Sequence, residues 1–285
     1  MTGLAISSLI RSSVVGAALA AIAVSAPVAA KESGGDKPMC SVAGPQSPRD
    51  VTAKAGVNPT KFSLAPEAGA MQLCNIHFHK NAEHKAKGYT KLTGEGDHQG
   101  YVCSPAEKDH KGMQHDGHGK GNAHGKAEAH GKAADGGCGG IADGDTIEVH
   151  WVFTSCLTAK PGKGLGSCVP AGCGNPQLRV EARTFLLKKG APLDFMKLTA
   201  LEDNDLVSLL PANDRVQYTG STTGPSYTNE HCSPYQVSWS VDQTCHSLDL
   251  ASVNKWCASG NVFGEDHAHG VRKLVADPKF LSPIK

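Results

Sequence analysis

Cys74-Asn75-Ile76-His77-Phe78-His79 and Ile147-Glu148-Val149-His150-Trp151-Val152-Phe153 are the two stretches whose reading decides how this chain folds. In both, apolar and polar residues alternate, the period of a strand with one face turned to a core. On such a strand His77 and His79 leave the same face, as do Glu148 and His150. Two imidazoles on an apolar strand need partners, and one metal ion serves both; a structural pair of buried histidines is the competing reading. A buried carboxylate also needs a partner. The economical one is the N–H of a metal-bound imidazole, because an acceptor there fixes the ring and strengthens the ligand. Three neutral histidines with a fourth position open describe a catalytic zinc site rather than a closed structural one.

Working outward, the runs Met71 to Phe78, Thr146 to Phe153, Leu178 to Leu187 and Gln236 to Val241 are of strand length, with β-branched or aromatic residues and turn-formers beside them. An amphipathic helix is predicted over roughly Pro192 to Leu210. The pattern is mainly β (α+β), in a single domain with few short helices.

At the N-terminus, Arg11 precedes an apolar run that ends in Pro27-Val28-Ala29-Ala30 before Lys31. This reads as a secretory signal over residues 1–30, leaving a catalytic domain over 31–285 that is periplasmic or secreted. The run is too short to span a bilayer and no later segment is longer, so no membrane span is expected once the signal is removed. With 28 Lys and Arg against 27 Asp and Glu, the net charge is +1, which argues against nucleic acid as a partner. All 10 cysteines lie after residue 30, an even set suited to disulfides in an oxidising compartment. A thiolate zinc site is the alternative, but no pair of C-x2-C motifs at finger spacing is present.

Between Lys108 and Gly140 the composition turns to Gly, His, Lys and Ala, with His118-Gly119-Lys120, His124-Gly125-Lys126 and His130-Gly131-Lys132 in succession. Such a segment has little to bury against the entropy of ordering, and it is expected to be a disordered insertion at about 108–140. Weak metal binding and a merely solvated loop are both open readings of it.

The ordered set of motifs resembles the carbonic anhydrases of the alpha class and their delta-class relatives. Gln46-Ser47-Pro48-Arg49-Asp50, preceded by Cys40, is similar to the family's N-terminal Q-S-P motif. His77-Phe78-His79 resembles its H-F-H ligand pair, Glu83-His84 the following E-H, and Glu148-x-His150 the E-x-H of the third ligand. Leu209-Leu210-Pro211 and Tyr218-Thr219-Gly220-Ser221-Thr222-Thr223-Gly224-Pro225 resemble later family motifs. The short spacing from His79 to Glu83, the His/Gly insertion and the extra cysteines point to the delta class.

The resemblance implies a large twisted, mostly antiparallel central sheet like that of alpha-type carbonic anhydrases. It implies one zinc ion held by His77, His79 and His150, and conversion of carbon dioxide to bicarbonate and a proton by zinc-bound hydroxide; because imidazole binds several divalent ions, Co2+ or Cd2+ are possible substitutes. In the family's manner, Glu148 would support His150 and Asn75 would support His77. Thr223 and Glu83 would act as an orienting pair, and Val152 and Trp239 would wall the carbon dioxide pocket. Cys40 and Cys232 would form a disulfide. The alpha-class shuttle histidine has no counterpart between Asp50 and Ile76, and His84, His98, His231 and the histidine tract are candidates on acidity alone.

Two other functions compete. H-x-H-x3-E is also a cupin motif, in which Glu83 would join His77 and His79 as a metal ligand. A non-catalytic exported protein that buffers zinc or nickel through its histidine tract is the second.

Overall fold

Five strands pair in the order β1-β4-β5-β7-β6 in a computed structural model that describes residues 39–104, 137–200, 214–222, 224, 227–271 and 275–285. They are β1 (Gln72–Lys80), β4 (Thr146–Thr154), β5 (Leu178–Lys188), β6 (Arg215–Ser221) and β7 (Gln236–Asp249). Three of the four pairings are antiparallel and β5–β7 is parallel, so the sheet is mixed. A separate hairpin joins β2 (Lys91–Thr93) to β3 (Gly100–Val102). Residues 37–285 form one compact unit. The expected signal at 1–30, all of the 108–140 insertion before residue 137, and Thr223 lie outside the described residues.

Alternation along the strands gives the sheet two different faces. On one, Ile76, Phe78, Ile147, Val149, Trp151, Phe153, Phe185 and Leu187 are buried against the helices α1 (Phe195–Leu198) and α2 (Leu250–Ala258). α2 is capped by Asp249, which accepts from Ser252 N, and turns Val253, Trp256 and Cys257 into this layer. Burying an aromatic or aliphatic side chain contributes roughly 1.5–3 kcal/mol, and this layer supplies the larger apolar core. The other face carries His77, His79, Glu148, His150 and Val152, with Trp239, Val180 and Ala182 from the neighbouring strands.

The helix expected over Pro192 to Leu210 is a single turn within the described residues. Leu193 pairs with Leu248, which holds the chain extended until Asp194 caps Met196 N, and at Thr199 the backbone leaves helical geometry. Residues 201–210 lie outside the described part. In contrast, β7 runs eight residues beyond the apolar stretch that foretold it, because its polar second half pairs in parallel with β5 from Thr184↔Cys245 to Lys188↔Asp249.

Disulfides pin the loops to this frame: Cys40–Cys232, Cys74–Cys168, Cys103–Cys245, Cys138–Cys257 and Cys156–Cys173. Five such links fit an oxidising environment. Among the described residues, no helix is long and apolar enough to cross a membrane.

Candidate metal centre

Strand register brings the histidines together. His77 lies directly opposite His150 in the β1–β4 ladder, and His79 opposite Glu148. One nitrogen from each of His77, His79 and His150 falls in a group whose members are all within 4.8 Å of one another.

Each ring is held by its other nitrogen. His77 Nδ1 donates to Asn75 Oδ1 at 2.7 Å, His79 Nδ1 to the carbonyl of Gly270 at 3.0 Å, and His150 Nε2 to Glu148 Oε1 at 2.8 Å. These bonds set the tautomers and leave the lone pairs on His77 Nε2, His79 Nε2 and His150 Nδ1. His150 Nδ1 and His77 Nε2 then stand 3.3 Å apart. Two nitrogens bound tetrahedrally at zinc distances are separated by about 3.3 Å, so the donor set fits a zinc ion. Burial, reinforced by the neighbouring His150, keeps the pKa of His79 well below the ordinary imidazole range, which leaves it neutral as a ligand must be.

The supporting groups are themselves braced. Asn75 Nδ2 donates to the carbonyl of Gly162 at 3.0 Å, and Ser167 Oγ to the carbonyl of Cys74 at 2.7 Å. The Cys74–Cys168 disulfide ties the same loop to β1 beside a bulge between Leu73 and Asn75. At Gly270 a Cβ would stand 2.6 Å from the carbonyl oxygen of Asp97, so only glycine fits where the carbonyl reaches His79.

Behind His150 runs a buried polar chain. Glu148 accepts from His84 Nδ1 at 2.7 Å and from the His84 backbone N–H at 3.1 Å. His84 Nε2 meets the Tyr218 hydroxyl at 2.9 Å, and that hydroxyl is bonded to Ser47 Oγ. Burial alone would raise the Glu148 pKa, but the charge of His84 and the hydrogen bonds from His150 and His84 outweigh it and hold the carboxyl well below its usual range. His84 moves the opposite way: burial works against its charge, and Glu148 overcomes it. His84, Glu148 and His150 also form a group of three donor atoms, but protons shared with the carboxylate account for their closeness.

Several expectations find their place here and some do not. Val152 shares the strand face of His150, and the Trp239 ring packs edge-on to His150 at 5.3 Å between centroids. Both are buried. Glu83 is fully buried next to His84, and its carbonyl accepts from Arg49 Nε at 3.2 Å. Among the described residues neither group of three donors includes Glu83. His84 is corrected as a shuttle candidate: it is fully buried with both ring nitrogens engaged, and a shuttle must meet solvent. Ser47 and Tyr218 sit inside the quoted family motifs, but their bond to each other spans 171 positions and carries no sequence signal. Gly270 was also missed, as was His269, whose ring lies 5.9 Å from that of His77 and donates to Glu265 Oε2 at 2.6 Å, although His267-Ala268-His269 repeats the H-x-H spacing.

Three imidazoles with converging nitrogens, each backed by an acceptor, on the face of a mixed β-sheet, form a candidate mononuclear metal site of the kind metalloenzymes carry. The sequence model of the delta carbonic anhydrase family matches residues 68–252, and the chain belongs to that family: it is a carbonic anhydrase. No curated protein matches it in sequence. Among solved structures it is similar to the alpha-carbonic anhydrase of Thermovibrio ammonificans in complex with the inhibitor sulfanilamide, at 16% identity, with 81% of this chain and 86% of that one covered and a TM-score of 0.26. The alpha-carbonic anhydrase of Photobacterium profundum is 14% identical over 81% of this chain and 88% of its own, again with a TM-score of 0.26.

Proposed function

We propose that this chain is an exported enzyme, periplasmic or secreted, that hydrates carbon dioxide reversibly to bicarbonate and a proton with one zinc ion held by His77 Nε2, His79 Nε2 and His150 Nδ1. The observation that carries the reading is the convergence of one nitrogen from each of His77, His79 and His150 within 4.8 Å, each ring anchored by its other nitrogen. When bound, zinc supplies a Lewis acid that makes water acidic near neutrality, the behaviour for which carbonic anhydrase is itself the reference case.

The chain's own residues do the rest. Asn75, Gly270 and Glu148 hold the imidazoles in their ligating tautomers. Val152 and Trp239 offer an apolar wall to a substrate without charge. By the family resemblance, Glu83 would accept a hydrogen bond from the Thr223 hydroxyl, so that the threonine oxygen would accept from the attacking nucleophile and orient it. His98 and His231 belong to segments at the surface, where a histidine can pass protons to buffer.

The test is stopped-flow hydration of carbon dioxide before and after chelation, and in the single alanine variants of His77, His79 and His150. Turnover that disappears with the metal and with each variant supports the reading, and full zinc occupancy in any variant overturns the ligand set. The sequence of the histidine tract favours metal buffering as a second reading. Replacing His110, His115, His118, His124 and His130 by Asn separates the two without removing Cys138, which is paired to Cys257. An enzyme keeps one tightly held ion and its turnover; a buffer loses most of its metal.

A further inference from the structure

We propose that His269, clamped by Glu265, is a positioning residue of the three-histidine centre: its backbone carries the Gly270 carbonyl to His79, and its ring packs edge-on against His77. The role presupposes the ligand set proposed above. After α2 the chain returns to β1 as a short edge. His269 N donates to the carbonyl of Phe78 at 2.9 Å and Lys80 N to the carbonyl of His269 at 2.9 Å, which sets His269 beside His79 in parallel register. The next residue, Gly270, offers its carbonyl to His79 Nδ1 at 3.0 Å. An acceptor fixes a ligand only while it stays in place itself, since a displaced carbonyl frees the imidazole to turn.

Two arms hold this edge, and both start from the last turn of α2. In the first, Asn261 Nδ2 donates to the carbonyls of Trp256 at 3.2 Å and Glu265 at 2.8 Å, while Asn261 Oδ1 accepts from Glu265 N at 3.2 Å. Glu265 passes the hold on: its Oε2 accepts from His269 Nε2 at 2.6 Å, and its side chain is 7% exposed. A carboxylate so buried keeps its partner, because losing it leaves a charge without water or a donor. The second arm is the Cys138–Cys257 disulfide, which leads to Gly139. There Gly139 N donates to the carbonyl of Asp266 at 2.9 Å, and Ala268 N donates to the carbonyl of Gly139 at 3.0 Å.

The His269 ring meets the ligands as well. Its centroid is 5.9 Å from that of His77 at an interplanar angle of 87°, and 6.1 Å from that of His79 at 52°. With Nε2 tied to Glu265 the ring is fixed in rotation, and it limits the room in which His77 can tilt. His77 is the least buried of the three, so a fixed neighbour counts most there. A metal site needs its donors held to within about 0.5 Å, and that precision comes from groups behind the ligands.

The experiment uses the full chain with the five tract histidines replaced by Asn. It reads zinc affinity by competition with a chromophoric chelator, and the visible absorption of the Co2+-loaded protein, whose bands follow ligand geometry. E265A and H269F each break the clamp, and zinc affinity should fall by roughly tenfold, the lower end of what loss of a supporting group costs. E265Q keeps an acceptor for His269 Nε2 and should stay within about twofold of the parent. E265A/H269F should bind no more weakly than either single variant, because both remove one bond. The cobalt bands should shift in E265A and H269F and remain those of the parent in D242N, a stability control on β7. If E265A does not fold, H269F, at a ring 31% exposed, carries the same test. Parent affinity and parent bands in H269F, a loss in E265Q equal to that in E265A, or an equal loss in D242N overturns the proposal. Full zinc occupancy in H77A/H79A/H150A would overturn the ligand set and this role with it, whereas a parent-like H269F beside a metal-free triple variant overturns this role alone.

Discussion

Glu148 and His84 are joined by a 2.7 Å hydrogen bond with both side chains sealed completely from solvent, and the same carboxylate oxygen accepts from His150. The proposed ligand His150 is thus oriented by a group that is itself held by a second imidazole, a hydroxyl and a serine. Breaking any link leaves a buried polar group short of a partner, which costs more than the bond itself contributes.

Replacing Glu148 by Gln removes the charge that both imidazoles lean on. Zinc affinity should fall by roughly ten- to a hundredfold, measured by competition with a chromophoric chelator, while far-ultraviolet circular dichroism remains that of the parent. Unchanged affinity would remove Glu148 from the metal centre.

Tyr218→Phe tests the far end of the chain. The ring stacks on Trp239 at 6.2 Å and stays buried, so the loss is confined to the hydroxyl between His84 and Ser47. Stability should drop by about 1–3 kcal/mol in urea unfolding under non-reducing conditions. A variant as stable as the parent would mean that Ser47 and His84 find each other or other partners.

Thr223→Ala should cut hydration by roughly a hundredfold with zinc retained, as loss of one positioned hydrogen bond in a catalytic site commonly does. Thr222, buried with its N–H bonded to the carbonyl of Tyr235, is the neighbouring control. If Thr222→Ala is the damaging change, the orienting threonine is one position earlier.

Asp242 ties stability to acid. Burial pushes its carboxyl up, but the hydrogen bonds from His246 Nε2 and the Thr244 N–H, with the charge of Arg183, more than offset this and hold it below its ordinary 3.8. A carboxyl depressed by folding stabilises the protein fully above the unfolded value and loses that contribution as pH falls through the folded one. Asp242→Asn should therefore be less stable than the parent at pH 7, and the gap should close below about pH 4. A gap independent of pH, read from urea curves at both values, would assign the effect to packing.

Period-two alternation by itself determined that strands lie over Met71 to Phe78 and Thr146 to Phe153, observed as Gln72–Lys80 and Thr146–Thr154, and that His77 and His79 share a face, because local backbone geometry dictates where successive side chains point. Glu148 beside His150 was legible for the same reason. Only tertiary structure decided that His77 stands opposite His150, since register is a property of two strands and a slip of one residue would turn every side chain over. The polar half of β7 had no pattern to read and became strand through its parallel partner. Gly270 reaches His79 across 191 positions and Tyr218 reaches His84 across 134. Such contacts follow from how the chain closes on itself, and the residues that make them carry no periodicity of their own.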